Sequence, residues 1–331
     1  MIVSVAVGDP APPPPPLRPE AEVRAQWQDD EPLVSILCPT FQHAAYLNDA
    51  LRGFLGQHTP FAFEVLVRDD ASNDGTAEIA RRFADDYPTI VRTVLEEHND
   101  WPRTLAIHVL LPLARGRYVA VCEGDDYWVD PMTLVRQVET LEARPDCVMV
   151  HHQALIVEEG RVVELEKLPR TLQRDIEAGE LRRAEWTLLP TMLFRNVPLA
   201  RHRHEELIVN HDNFTNVQLG GYGGAAWIPD IHPVVYRRHP GGSWSTREPA
   251  VQRARQAESL YWIADWLVEQ GDDAAGRDVL RRAAQTLADG QRDRGIHLQV
   301  RVPPPPAAPT SPPPPLWRRA ASRARRLFTR R

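Results

Sequence analysis

Between residues 33 and 141, short apolar runs alternate with stretches of helical periodicity, and this alternation constrains the fold more than any other feature. Leu33–Cys38, Phe63–Val67, Ile90–Leu95 and Tyr118–Cys122 are Val-, Ile- and Leu-rich runs with the length of buried strands. Tyr46, Leu47, Ala50, Leu51, Phe54 and Leu55 recur at helical spacing. Ile79, Phe83 and Tyr87 do the same, then Leu105, Val109 and Leu113, then Leu134, Val135, Val138 and Leu141. Strands alternating with helices build a Rossmann-like α/β fold, a mostly parallel sheet flanked by helices. Ligands of such sheets bind beyond the carboxyl ends of the strands. Cys147–Val157 reads as one further long β segment.

Proline marks the expected boundaries. Of 31 prolines, many fall in APPPPPLRP near the start and VPPPPAAPTSPPPP near the end, which read as extended polyproline spacers. The expected organisation is a Pro-rich disordered segment over 1–31, a main α/β domain over 32–248, a helical extension over 249–300 and a Pro-rich linker with a basic tail over 301–331. In the extension, Leu260, Ile263, Trp266 and Leu267 form one apolar stripe and Val279, Leu280, Ala283 and Leu287 another, with Gly271-Asp272-Asp273 as the turn of a helical hairpin.

The net charge of −6 excludes a chain that binds nucleic acid by bulk electrostatics. Cys38, Cys122 and Cys147 all sit in apolar runs, as buried reduced thiols do, and MIVSVAVGDP has no basic start. No run reaches the ~18 uncharged apolar residues of a membrane span. These features predict a cytoplasmic protein. Leu316–Arg331 carries seven arginines with Trp317, Leu327 and Phe328, and as a basic amphipathic segment it would contact an anionic membrane face peripherally.

Chemistry gathers where the predicted strands end. Tyr118–Cys122 runs straight into Glu123, Gly124, Asp125 and Asp126. Asp130-Pro131 behind them suits an N-cap followed by proline at the first helical position. That accounts for Asp130 and leaves Asp125 and Asp126 unexplained. Crowded carboxylates repel one another, and a cation relieves them. Hard oxygens without neighbouring cysteines suit Mg²⁺ or Mn²⁺ rather than zinc. Arg68-Asp69-Asp70-Ala71-Ser72-Asn73-Asp74-Gly75-Thr76 follows the second strand. Turn chemistry covers Asn73 to Thr76, whereas Asp69 and Asp70 need donors such as a nucleobase N–H or a ribose hydroxyl. Asn210-His211-Asp212-Asn213-Phe214 and Tyr236-Arg237-Arg238-His239-Pro240-Gly241-Gly242 are the later polar clusters. The second joins cations to a Gly-Gly hinge, as a loop closing on a diphosphate does.

In this order the pieces resemble the inverting glycosyltransferases of family 2, which have the GT-A nucleotide-sugar fold. The resemblance runs from Pro32 to about Ser245 and rests on Val34-Ser35-Ile36-Leu37-Cys38-Pro39-Thr40-Phe41, on the Arg68–Thr76 segment and on Glu123-Gly124-Asp125-Asp126-Tyr127-Trp128. Thr191-Met192-Leu193-Phe194-Arg195-Asn196, His211-Asp212 and Tyr236–His239 look like its acceptor-side motifs. The resemblance implies that Pro39, Thr40, Phe41 and Asp70 hold the nucleobase side, with Asp69 in support. Asp125 would lie near the ribose or the metal, Asp126 and His239 at the metal, and Arg237 or Arg238 at the diphosphate. Asp212 would be the general base. His211 and Asn213 flank it where the family usually has a small residue before and an aromatic after, so Asp230 stands as the alternative base. The implied partners are a nucleotide-sugar donor, a UDP-sugar foremost, and a hydroxyl acceptor on a glycan or lipid-linked carrier. The implied setting is polysaccharide or glycolipid assembly.

Three other readings are weaker. A haloacid-dehalogenase phosphatase needs an aspartate where Ser72 stands. A nucleotidyltransferase needs a glycine-rich phosphate loop after the first strand, and Cys38–His43 has no glycine. A catalytically inactive scaffold would not need Asp70, Asp125 and Asp126 intact.

Overall fold

The computed structural model describes residues 5–292 except Pro102, Ser243, Ser245 and Thr246. Four strands follow the predicted alternation: β1 (Val34–Thr40), β2 (Phe63–Asp69), β3 (Val91–Leu95) and β4 (Tyr118–Val121). After α1 (Glu20–Arg24), the helices α2 (Leu47–Leu55), α3 (Thr76–Asp86) and α4 (Ala106–Leu110) lie between them, and α5 (Thr133–Ala143) follows β4. The remaining strands are β5 (Cys147–His151), β6 (Ala154–Glu158), β7 (Arg161–Glu164), β8 (Leu193–Arg195), β9 (Gly224–Trp227) and β10 (Val234–Arg238). Helices α6 (Ala178–Arg182) and α7 (His211–Leu219) are interspersed, and α8 (Pro249–Glu269) and α9 (Asp273–Arg292) close the described chain.

The main sheet has the order β3-β2-β1-β4-β8-β5-β9 and is parallel except where β8 runs against β4 and β5. Strict alternation makes it a sandwich filling. Val34, Ile36, Cys38, Val65, Val67, Ala120 and Cys122 enter one apolar cluster, while Leu37, Leu66, Val119 and Val121 enter the other. Both faces are therefore covered, as a parallel sheet requires. The α2 stripe of Leu47, Ala50, Leu51, Phe54 and Leu55 belongs to the first cluster, and Gly53 lets the helix backbone approach Trp128, since a Cβ there would lie 2.8 Å from the Trp128 carbonyl oxygen. The three cysteines are buried and unbridged.

Three expectations are corrected. The predicted long strand over 147–157 is two strands, because β5 belongs to the main sheet while β6 pairs with β10 and β7 in a second, three-stranded sheet. The chain changes sheets at His152-Gln153, where the Gln153 Oε1 accepts from the Ala154 and Leu168 amides. The Pro-rich start is extended but is no free spacer. The Pro12 carbonyl accepts from the Tyr127 hydroxyl at 2.6 Å, that of Arg18 accepts from Tyr87, and Val23 of α1 enters the core. In the α8–α9 hairpin the first stripe is buried as predicted, but Leu280 and Leu287 are exposed while Val279 and Ala283 pack inward. The second proline stretch and the basic tail lie outside the described residues. Among the described residues no helix is long and apolar enough to cross a membrane.

The sheet change buries two histidines. Burial pushes His151 down to about 4 and His152 down to about 3. Both are neutral in the fold but take protons when unfolded. Their contribution is intact above pH 6.5 and declines as the pH falls below it. At pH 4 the effect of His152 is on the order of 3 kcal/mol. Urea denaturation of the His152→Gln variant between pH 7 and pH 4 is expected to show a smaller acid loss than the parent protein. Parallel profiles would contradict this reading.

Candidate active site

The acidic cluster is held at the carboxyl edge of the sheet by neighbours on three sides. β1 and β4 are adjacent parallel strands, so their ends leave the sheet together. The Gly124 amide donates to the Pro39 carbonyl at 2.9 Å. A Cβ on Gly124 would sit 2.9 Å from the Thr40 Cβ and 3.1 Å from His43 Nδ1, so only glycine permits this approach. β10 clamps the other side. Tyr127 and Val235 exchange backbone hydrogen bonds of 3.2 and 3.0 Å, which brings the Arg237 amide to Asp126 Oδ1 at 2.9 Å and His239 Nε2 to Asp125 Oδ2 at 3.1 Å.

What remains unsatisfied points to a ligand. Asp126 is buried, and its Oδ2 has no hydrogen-bond partner among the described residues, nor has the buried Asp125 Oδ1. Leaving a buried polar atom unpaired costs about 1–3 kcal/mol. Ligand atoms of Glu123, Asp125 and Asp126 lie within 4.8 Å of one another, and so do those of His43, Asp125 and His239. Burial together with the charges of Asp125 and Asp212 pushes Glu123 up to about 8. Burial and the same crowding hold Asp126 far above the carboxylate range. Burial also works to raise Asp125, but the hydrogen bond from His239 and the neighbouring charge of His43 outweigh it and leave it lowered. A divalent cation would satisfy the orphaned oxygens and relieve the repulsion, and an oxygen-rich set with imidazoles at its edge fits Mn²⁺ or Mg²⁺.

A second cluster, His202 with Asp265 and Glu269, already has its cation. Arg203 pairs with Asp265 at 2.8 Å and with Glu269.

The remaining predicted residues divide. Thr40 is buried at the end of β1 with its hydroxyl unpaired, Pro39 is half-buried and Phe41 is exposed at the rim. Asp69 and Asp70 lie at the adjacent end of β2, but the protein itself supplies donors. Ser72 donates to Asp69 through its hydroxyl at 2.5 Å and its amide at 3.1 Å. Asp70 takes Arg68 at 2.8 Å and the Asp100 and Trp101 amides at 3.1 Å. Contrary to expectation, then, neither carboxylate needs a ligand to supply its donors, and both organise the surrounding loops. Arg237 lies on the cluster, donating to the Asp125 carbonyl at 3.0 Å, pairing with Asp49 and covering the Tyr127 ring at 4.3 Å. Arg238 instead pairs with Glu158 and Glu164 of the second sheet.

Asp212 stands in the first turn of α7, within electrostatic reach of Glu123, and burial raises it above the ordinary carboxylate range. Trp101 links the two sides of the site, its amide on Asp70 and its ring 6.5 Å from that of His211. Asp230 is exposed and is not among the charges acting on the cluster.

Sequence reasoning passed over two residues. His43, 3.6 Å from Asp125, sat inside the Cys38–His43 segment but was read only for its lack of glycine. Lys167 reaches the site from the segment after β7 and acts on both Asp126 and Asp212. The signal for it was compositional, because Lys167 is the only lysine in the chain.

Residues 35–191 match the model of glycosyl transferase family 2. An uncharacterised protein of Mycobacterium tuberculosis is 31% identical over 218 residues, 64% of this chain and 60% of its own length. The chain thus spans about 60% of such curated relatives. A Bacillus subtilis glycosyltransferase named for teichuronic acid biosynthesis is 30% identical over 130 residues, 39% of this chain and 50% of that protein. The crystal structure of residues 1–349 of S. aureus TarS with UDP-GlcNAc superposes with a TM-score of 0.55 at 18% identity, covering 80% of this chain and 73% of that one, and shares the fold.

If the orphaned oxygens await a cation, Mn²⁺ raises the melting temperature of the protein. The Asp126→Asn variant is expected to lose most of that rise in the same thermal-shift titration. An equal rise in both would place the ion elsewhere.

Proposed function

We propose that this chain is a glycosyltransferase of family 2, whose model matches residues 35–191, and that the cluster at the end of β4 transfers a sugar from a nucleotide-diphosphate donor to a hydroxyl acceptor, with inversion. The observation that carries this reading is the pairing of two orphaned carboxylate oxygens, on Asp125 and Asp126, with a separate half-buried carboxylate, Asp212, within electrostatic reach. One group suits a charged leaving group and the other a neutral nucleophile.

Pro39, Thr40 and Phe41 at the end of β1, with the loops organised by Asp69 and Asp70, form the nucleotide side. Asp125, Asp126 and His239, with His43 beside them, would hold Mn²⁺ or Mg²⁺. When bound, such an ion acts as a Lewis acid that neutralises the diphosphate. Arg237 fixes this edge by bonding the Asp125 carbonyl, and its amide holds Asp126 in place.

A sugar hydroxyl is a poor nucleophile near neutral pH, so it needs a base within ~3 Å as it attacks. Asp212 is assigned that role. Its raised proton affinity favours accepting a proton, and its place in the first turn of α7 favours the carboxylate beforehand. The acceptor oxygen bonds to the anomeric carbon while the bond from that carbon to the diphosphate oxygen breaks. The hydroxyl proton passes to Asp212, and the bonding pair leaves with the nucleotide diphosphate. Attack opposite the leaving group inverts the anomeric centre. A UDP-sugar is the foremost donor, and the relatives' names favour a cell-surface polymer as the product.

A panel of UDP-, GDP- and dTDP-sugars with Mn²⁺, scored for nucleotide release, tests the assignment. One class of donor is expected to turn over. Asp212→Asn should keep donor affinity within about threefold while kcat falls by about 10²–10⁴. Wild-type kcat in that variant would move the base to another carboxylate, and silence with every donor would contradict the transferase reading.

A further inference from the structure

The chain carries 39 lysines and arginines, and all but Lys167 are arginine. Most ion pairs among the described residues are made by guanidinium groups, as in Arg144 with Asp175, Arg174 with Glu180 and Arg182 with Asp272. The one ammonium group is placed differently. The Lys167 amide donates to the Ala154 carbonyl at 2.8 Å, which lays the residue beside the start of β6. Its Nζ rests 3.8 Å from the centre of the Tyr236 ring on the neighbouring strand β10. Tyr236 directly precedes Arg237, whose amide holds Asp126.

Among the described residues no hydrogen bond or ion pair to Nζ is formed, and its contact is with an aromatic face. An aromatic ring stabilises a cation without using its N–H groups. Burial lowers the proton affinity of Lys167, with Arg238 adding to that, while the charges of Asp126, Glu164 and Asp212 pull it up. A half-buried ammonium with unspent donors is costly unless an acceptor arrives. A guanidinium makes a broad planar fork, whereas an ammonium is a compact point charge on a flexible stem and suits a single crowded oxygen.

We propose that Lys167 is a substrate-binding residue of this site, its ammonium donating to an anionic, phosphate-type oxygen of the substrate bound between the Asp125–Asp126 edge and Asp212. The inference rests on the transferase reading and adds a second, protein-borne cation to it. The oxygen has two possible sources, the diphosphate of the donor or an anionic group on the acceptor.

The singleness of the lysine makes the test direct. Reductive methylation with formaldehyde and a borane modifies primary amines, so a chain of this sequence offers two targets, its N-terminus and Lys167. Peptide mass spectrometry reads the rate at each, and the N-terminus serves as the internal control. UDP with Mn²⁺ is expected to slow methylation of Lys167 at least tenfold and leave the N-terminus unchanged, which assigns the oxygen to the donor. Protection by glycerol phosphate but not by UDP with Mn²⁺ would assign it to an anionic acceptor. Equal labelling under all conditions, in a protein that calorimetry shows to bind UDP with Mn²⁺, would overturn the role of Lys167 and leave the transferase reading standing. Absence of any nucleotide binding would overturn both. As a second readout, Lys167→Met should raise the donor or acceptor KM more than tenfold with partial rescue in Lys167→Arg. A lowered melting temperature with unchanged KM would mark a purely structural residue.

Discussion

The junction between β4 and β10 is the constraint on which the site depends. Two backbone bonds between Tyr127 and Val235 join the main sheet to the small one, and through them Asp126 acquires the Arg237 amide and Asp125 acquires His239. Without that junction the acidic residues after β4 would form a solvated turn whose charges spread apart. With it they are held close, partly desolvated and short of donors. Other buried acids in the same sheet show that this is a local arrangement. Glu64, near the amino end of β2, is fully buried, yet Ser35, Arg92 and Arg115 satisfy it. At Glu64 the charge is cancelled by arginine, whereas just beyond β4 one oxygen each of Asp125 and Asp126 has no partner among the described residues.

That contrast also explains why a single lysine matters in a chain that otherwise uses arginine. The site holds carboxylates on two elements, the β4 edge and α7, with Lys167 acting on both from a third. In the proposed reading, a divalent ion held by Asp125 and Asp126 and the Lys167 ammonium would both face the phosphate oxygens of the substrate. Tyr236 fixes the ammonium by its ring face, which keeps the N–H donors free for a substrate.

Much of the fold was legible because periodicity reports burial. Four strand runs and the helices between them fell where expected, since a sheet covered on both faces demands continuous apolar runs. The crowded acidic edge was legible because its carboxylates follow a predicted strand directly, where a parallel sheet places its ligands. What failed depended on tertiary partners. Cys147–Val157 is one apolar run, and nothing local shows that its halves join different sheets. Arg237 and Arg238 are chemically equal neighbours, and only strand alternation against Glu158 and Glu164 separates them. Leu280 and Val279 are equally apolar, but the outward face of α9 leaves Leu280 exposed. Asp69 and Asp70 looked unsatisfied because their donors, Ser72 and the amides of 100–101, are defined by loop geometry that composition does not reveal.

The central claim is that the acids beyond β4 form a cation-dependent nucleotide site. Calorimetric titration of UDP into the full chain, with Mn²⁺ present and after its removal by chelation, tests this most directly. The account predicts saturable heat with the metal and its loss without it. Binding that is indifferent to the metal, or no heat in either case for any nucleoside diphosphate, would contradict it.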